Sequence, residues 1–254
     1  MTALVMAASR GLGRASAEAL AKDGHDLVLL ARDKDRLEQT ADELRSHGGA
    51  VDTHVVDVAD GNALTDAIST TLGARGVDVL VANAGGPAPG TFADTGDDAW
   101  RAAFDLVLMS VVRATRLVLP SMAERGRGRV IVIGSSSVVS PLSGLVLSNA
   151  FRPALAGLVA ALAQEVARDG ITVNLVAPGR FDTDRVRSLD QRRATGAGVS
   201  VDELRQRAEQ GIPIGRYGRP EELGALVAFL ASDAASYLTG QSILLDGGLV
   251  PHVG

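Results

Sequence analysis

Cysteine is absent from the 254 residues, which excludes disulfides, thiol catalysis and zinc–thiolate sites together. Lysine is confined to Lys22 and Lys34, so arginine carries almost all the positive charge. Aromatic residues make up only 3% of the chain. No run of about eighteen uninterrupted apolar residues exists, the length a membrane span needs, so no membrane segment is expected. The first apolar run, Ala3–Met6, leads at once into glycine-rich sequence and leaves no room for a signal peptide. A formal net charge of −5 argues against a nucleic-acid partner, because such affinity comes mainly from Lys and Arg neutralising phosphates. What remains is 46% hydrophobic, 22% charged and rich in glycine, with 29 residues, as expected of a cytoplasmic globular chain with one sizeable core and no metal site.

Short apolar runs alternate with segments of helical period. Ala3–Ala7, Asp26–Leu30, Val51–Val56, Val77–Ala82, Arg129–Ile133, Ile171–Val176 and Ser242–Leu245 read as strands, with six helical stretches between them. The strands are nearly continuous in hydrophobicity rather than alternating, which predicts burial on both faces. The fold class is therefore α/β, a single-domain doubly wound Rossmann fold over residues 1–254, its seven-stranded parallel sheet flanked by helices. Residues 183–211, polar and glycine-bearing at their start, are expected to form a flexible flap on the substrate side.

Directly after the first strand stands Ala7-Ala8-Ser9-Arg10-Gly11-Leu12-Gly13, followed by an amphipathic helix. Strand, tight turn and helix N-terminus aim free backbone N–H groups at a pyrophosphate, and Gly11 and Gly13 allow close approach. Further motifs follow: Asp57-Val58, Asn83-Ala84-Gly85, Pro178-Gly179 with Thr183, Gly218-Arg219-Pro220-Glu221-Glu222, and Leu238-Thr239-Gly240 through Asp246-Gly247-Gly248. In this order and spacing the chain resembles the short-chain dehydrogenase/reductase family over essentially its full length, most of all its β-ketoacyl-carrier-protein-reductase branch. The resemblance implies a nicotinamide dinucleotide held by Ser9, Arg10, Gly11, Leu12, Gly13, Arg32, Asp57, Val58, Asn83, Ala84, Gly85, Arg152, Pro178, Gly179 and Thr183. Met6 and Ala7 stand where the family has Thr and the first Gly, and the added methyl group is expected to narrow or shift the pyrophosphate site. Ala31 occupies the place of the acid found in NAD-preferring relatives. Arg32 and Arg10 are candidates for a ribose 2′-phosphate, so NADP is favoured over NAD.

The family's catalytic tetrad is Ser, Tyr, Lys and Asn. Serine is kept as Ser135, while the Tyr-x-x-x-Lys motif falls on Ser148-Asn149-Ala150-Phe151-Arg152, and Val107 takes the place of the asparagine. Losing the tyrosine as general acid removes on the order of 10²–10⁴ in rate for the family's usual reaction. A guanidinium at Arg152 stays charged and cannot easily shuttle protons. Val107 can neither bend its helix through a side-chain bond nor hold a relay water. Pro153 is expected to start or kink the helix, re-aiming Arg152 and turning a free Asn149 carbonyl to the pocket. Tyr217 and Tyr237 sit where the fold uses residues for packing. His25, His47 and His54 have no catalytic setting, whereas His252 lies on a tail that approaches a neighbouring subunit's pocket in tetramers of the family. Asp182 and Asp184 either bind a cationic group, act as a base or cap a helix.

Three readings follow. One is an NADP-dependent reductase of a small-molecule C=O or C=N, with Ser135, Ser148 and Arg152 at the reacting centre. Another is a non-redox biosynthetic enzyme, a cyclase, dehydratase or isomerase, with the dinucleotide structural or lost. The last is a nucleotide-binding protein without catalysis. Phe92, Leu142, Leu145, Phe151 and Phe181 are expected to line an apolar pocket for the small-molecule substrate. Apolar faces on Ala154–Arg168 and Glu221–Ser232 predict a homodimer or homotetramer.

Overall fold

Strand β1 (Thr2–Met6) divides its side chains between two cores: Ala3 and Val5 face one, Leu4 and Met6 the other. Strand β2 (Asp26–Ala31) does the same, with Leu27 and Leu29 on one side and Val28 and Leu30 on the other. Period-two alternation is therefore real, but both phases are apolar because both faces are covered. A computed structural model describes residues 1–251. The remaining strands are β3 (Val51–Val55), β4 (Val79–Ala82), β5 (Gly128–Ile133), β6 (Ile171–Pro178) and β7 (Ser242–Leu245). All pairings are parallel, in the order β3-β2-β1-β4-β5-β6-β7.

One face of the sheet packs on α1 (Gly11–Lys22), α2 (Lys34–Arg45) and α9 (Pro220–Ala231), through Leu20, Leu37, Leu223 and Val227. The other face packs on α3 (Gly61–Ala74), α5 (Ser110–Glu124) and α6 (Val146–Val166), through Ile68, Val118, Leu155 and Val159. Chain order reverses between β1 and β4, so the loops leaving those strands part in opposite directions. The resulting crevice at the carboxyl ends of the strands is where doubly wound sheets bind ligands.

The helices are more numerous than the six expected stretches. Among the described residues α4 (Asp97–Ala103), α7 (Asp184–Ala197) and α8 (Val201–Gln210) complete nine α-helices, because two crossovers hold more than one. The segment read as a flap is α7 and α8, joined by a left-handed Gly198. Between α4 and α5 the helix widens into a π turn, Phe104–Met109, with Val107 fully buried in it. The π turn forms without any side-chain bond from residue 107, as a valine there requires. Pro153 neither starts nor breaks α6, which runs unbroken from Val146; the predicted interruption is corrected by packing of Leu147, Leu155 and Val159 on both sides of it. With the turn after it (146–169), α6 has the length and mean hydropathy, 1.5, of a membrane span, which the run-length reading of the sequence did not anticipate.

Candidate active site

The turn after β1 is built around close backbone contact. Ala7 takes φ of 52°, a left-handed conformation that no other non-glycine residue among those described adopts. It thereby keeps the turn that glycine would give, at the cost of strain. Its carbonyl lies 2.2 Å from where a Cβ on Gly13 would stand, and the Asn83 Nδ2 lies 2.8 Å from the same point. Only glycine lets α1 sit this close to the loop and to Asn83. A Cβ on Gly11 would touch Thr183 Cγ2 at 3.6 Å. The structure thus brings Gly11 to Thr183 and Gly13 to Asn83.

Arg10 caps α1 with its backbone alone and makes no side-chain capping bond, so the first N–H groups of the helix face the crevice without a side-chain acceptor. This supply of donors fits a pyrophosphate. Arg32 is exposed and lies 3.5 Å from Asp57, whose other oxygen accepts from the Ala59 N–H at 3.0 Å. Arg10 is exposed and has no ion pair among the described residues, so it is free to take a phosphate at the rim, where Arg32 is held only by its long, exposed contact with Asp57. Val58 and Ala84 belong to the core. Ser9 offers its carbonyl to Thr40 at 3.4 Å, and Leu12 packs against the second core. Gly179 donates to the Leu245 carbonyl at 3.0 Å just after Pro178 ends β6; a Cβ there would meet Asp246 at 2.6 Å. A polar cavity of about 460 Å³ adjoins the turn and adds Arg14 and Arg36, which the sequence reading missed, to Ser9, Arg10 and Thr183. Arg36 spans the gap to Asp184 at 3.6 Å.

Ser135 follows β5 and caps the short 3₁₀ turn Ser136–Val138, its Oγ accepting from the Ser137 N–H at 3.2 Å. That bond leaves the Ser135 hydroxyl hydrogen free to donate. Ser148 and Arg152 lie on consecutive turns of α6, both buried. Arg152 donates from Nη1 to the Ile133 carbonyl at 2.6 Å, while its Nε is buried without a partner. Burial, with the charge of Arg185 added, pushes the Arg152 guanidinium down to about 10. Asn149 grips the loop ahead of α6, accepting from Leu142 N–H at 2.9 Å and donating to the Leu142 carbonyl at 2.8 Å.

Several expectations are corrected. The apolar pocket does not assemble as read: Phe181 is buried in the core against Gly218, Phe92 is 76% exposed, and Phe151 stacks edge-on with Trp100 at 5.8 Å. Thr183, not either aspartate, caps α7. Asp182 pairs with Arg187 at 2.9 Å and Arg205 at 3.2 Å; burial raises its carboxyl, but those bonds outweigh it and hold it below the ordinary value. Asp184 pairs with Arg187 at 3.3 Å and with Arg36. Tyr237 is fully exposed rather than packed, whereas Tyr217 is buried, its hydroxyl donating to the buried Asp190 at 2.9 Å. His252 lies outside the described residues.

Residues 6–250 match the family model described as enoyl-(acyl carrier protein) reductase. The chain is 36% identical over 249 residues to 3-oxoacyl-[acyl-carrier-protein] reductase FabG of Escherichia coli, covering 97% of this chain and 96% of that protein. Among solved structures it resembles YwfH, an NADPH-dependent reductase involved in bacilysin biosynthesis, with TM-score 0.95, 29% identity and 99% of each chain covered. It also resembles L-sorbose reductase of Gluconobacter frateurii, complexed with NADPH and L-sorbose, with TM-score 0.94, 32% identity and coverage of 99% and 97%.

Proposed function

The chain belongs to the short-chain dehydrogenase/reductase family, and from that premise we propose that it is a cytoplasmic, NADP-dependent reductase of a small-molecule C=O or C=N that works without the Tyr-Lys pair. The observation that carries this reading is the phosphate turn, whose Gly11–Thr183 and Gly13–Asn83 contacts persist although Met6 and Ala7 have replaced its usual residues. NADPH-dependent neighbours support the choice of nucleotide. The α1 N-terminus would hold the pyrophosphate, and Arg10 and Arg32 a 2′-phosphate. When bound, the dinucleotide supplies hydride to the carbon of the acceptor bond.

The chain's own part is to manage the heteroatom. As hydride adds to carbon, the electron pair of the double bond moves to oxygen or nitrogen. The fixed Arg152 guanidinium stabilises charge developing there, the hydride having formed the new C–H bond, and Ser135 or water delivers the proton that completes the O–H or N–H group. Ser148 ends too close to its own backbone to act in place of a tyrosine and instead leaves room for the acceptor. Apolar faces on α5 and α6 form the contact of a homodimer or homotetramer.

Fluorescence titration of the purified protein with NADPH and NADH tests the reading. NADPH binding tighter than NADH, weakened about tenfold by Arg32→Ala with NADH unaffected, is the expected result. Binding of neither nucleotide overturns it and turns attention to non-redox chemistry at Ser135, Ser148 and Arg152.

A further inference from the structure

Most arginines of this protein have a carboxylate within 4.0 Å; Arg187, for example, has two. Arg152 and Arg185 have none among the described residues; Arg152 is bonded instead to the carbonyl of Ile133, the last residue of β5, and Arg185 reaches the loop that leaves the neighbouring β4. Arg185, in the first turn of α7, bends inward to donate from Nη2 to the Pro87 carbonyl at 2.9 Å. Its guanidinium lies flat on Gly86: a Cβ built there would stand 2.2 Å from Nη2 and 2.4 Å from Cζ. Beyond Gly86 the neighbouring Gly85 faces open space, with nothing within 4 Å of its own Cβ position. The far end of α7 is tied down as well, Arg193 donating to the Ser143 carbonyl at 3.1 Å. Helix α7 therefore roofs the pocket from the loop after β4 to the loop before α6, with Arg185 on its underside.

We propose that Arg185 and Arg152 together form an anion site for the substrate, which is a small molecule carrying a carboxylate beside its reducible C=O or C=N. The inference rests on the reductase reading for its chemistry and deepens it by naming the substrate class. Arg152, buried, and Arg185, exposed at the rim, each spend one N–H on a backbone carbonyl, face no carboxylate within 4.0 Å and keep unused donors, Arg152 Nε among them. An anion between them removes the repulsion and takes the remaining N–H groups in a fork matched to a carboxylate. Arg152 is anchored at the end of β5 and Arg185 on the loop leaving the adjacent β4, and the charge of Arg185 adds to burial in lowering the pKa of the Arg152 guanidinium. Helix α7 itself offers no phosphate site, since Thr183 caps its N-terminus and Asp184 adds negative charge in the first turn.

Benzoylformate and its methyl ester present the same ketone with and without the charge. Calorimetric titration of each into the protein saturated with NADP⁺ is expected to show the anion binding about tenfold or more tightly than the ester. Arg185→Leu brings the two affinities together. Gly86→Ala does so as well, because its Cβ takes the place of the guanidinium while the charge is kept; NADPH binding stays at the wild-type value in both variants. Equal binding of acid and ester by the wild-type protein, no saturable binding of benzoylformate, or an unchanged ratio in Arg185→Leu overturns the anion site. Loss of NADPH affinity in Arg185→Leu also overturns it, by giving the arginine to the cofactor. Should the wild-type protein bind neither nucleotide, the reductase reading fails alone, and the same titration of nucleotide-free protein still decides the anion site.

Discussion

Ala7 shows how a single methyl group is tolerated at a phosphate turn. Its φ of 52° costs an L-residue about 1–2 kcal/mol, partly offset because alanine restricts the unfolded chain more than glycine does. Ala7→Gly is accordingly expected to raise stability by about 0.5 kcal/mol in urea unfolding, with NADPH binding retained. His25 makes a second residue-scale case. It is buried, its Nδ1 3.2 Å from the Leu20 carbonyl and its Nε2 without a partner, and burial lowers its pKa below the ordinary value. A base whose pKa is lowered by folding binds protons more readily in the unfolded chain, so stability falls as pH drops below about 6.5. Tm should therefore decline between about pH 7.5 and pH 5.5, and decline less in His25→Asn. The places of Ser135, Ser148 and Arg152 were legible through the family resemblance, whose motifs fall just after β5 and on α6. Arg185 was not, since its place depends on a contact 98 residues away and on Gly86 having no side chain.

Among the elements, strands were readable to within a residue or two. In the central strands β1, β2, β4, β5 and β6 nearly every side chain is buried and gives the same signal, whereas the edge strands β3 and β7 are partly exposed and were bounded by the turns around them. Helix α6 was misread at Pro153, where a local rule met a stronger tertiary one. The proline removes one intrahelical bond and clashes with the preceding turn, but Leu147, Leu155 and Val159 hold the helix on the sheet from both sides. Pro153→Ala should then raise stability by about 2 kcal/mol, the helix-interior penalty of roughly 3 kcal/mol less the unfolded-chain rigidity that proline supplies. The roof over the site depends on another contact that no pattern announces. Asp190 of α7 is 3% exposed, pairs with Arg180 and accepts from Tyr217 at 2.9 Å, while Arg180 and Arg205 lie 4.9 and 4.7 Å from the centre of the Tyr217 ring. Removing this carboxylate leaves a largely buried guanidinium unpaired. Asp190→Ala is expected to cost about 3 kcal/mol in chemical unfolding, whereas Tyr217→Phe, which loses one hydrogen bond and keeps the ring, costs about 1 kcal/mol.

At the scale of the whole molecule the sheet accounts for only part of α6. The helix is apolar around much of its circumference, yet only a third of its most hydrophobic window is buried, 33%. Leu158 and Leu162 lie half-buried beside Leu119 and Pro120 of α5, along a shallow groove of about 460 Å³ that no other part of the chain covers among the described residues. An apolar surface of this kind is costly in water and is relieved when two copies meet across a two-fold axis, since each then supplies the same face to the other. Sedimentation at about 10 μM should give a dimer or tetramer, and the pair Leu158→Glu and Leu162→Glu should give monomers by placing unpaired carboxylates in the contact. A wild-type monomer at that concentration would remove α6 from any interface. Because Ser148 and Arg152 stand on the sheet-facing side of the same helix, NADPH affinity measured on the monomeric variant then tells whether association steadies the catalytic turn or only covers the apolar face behind it.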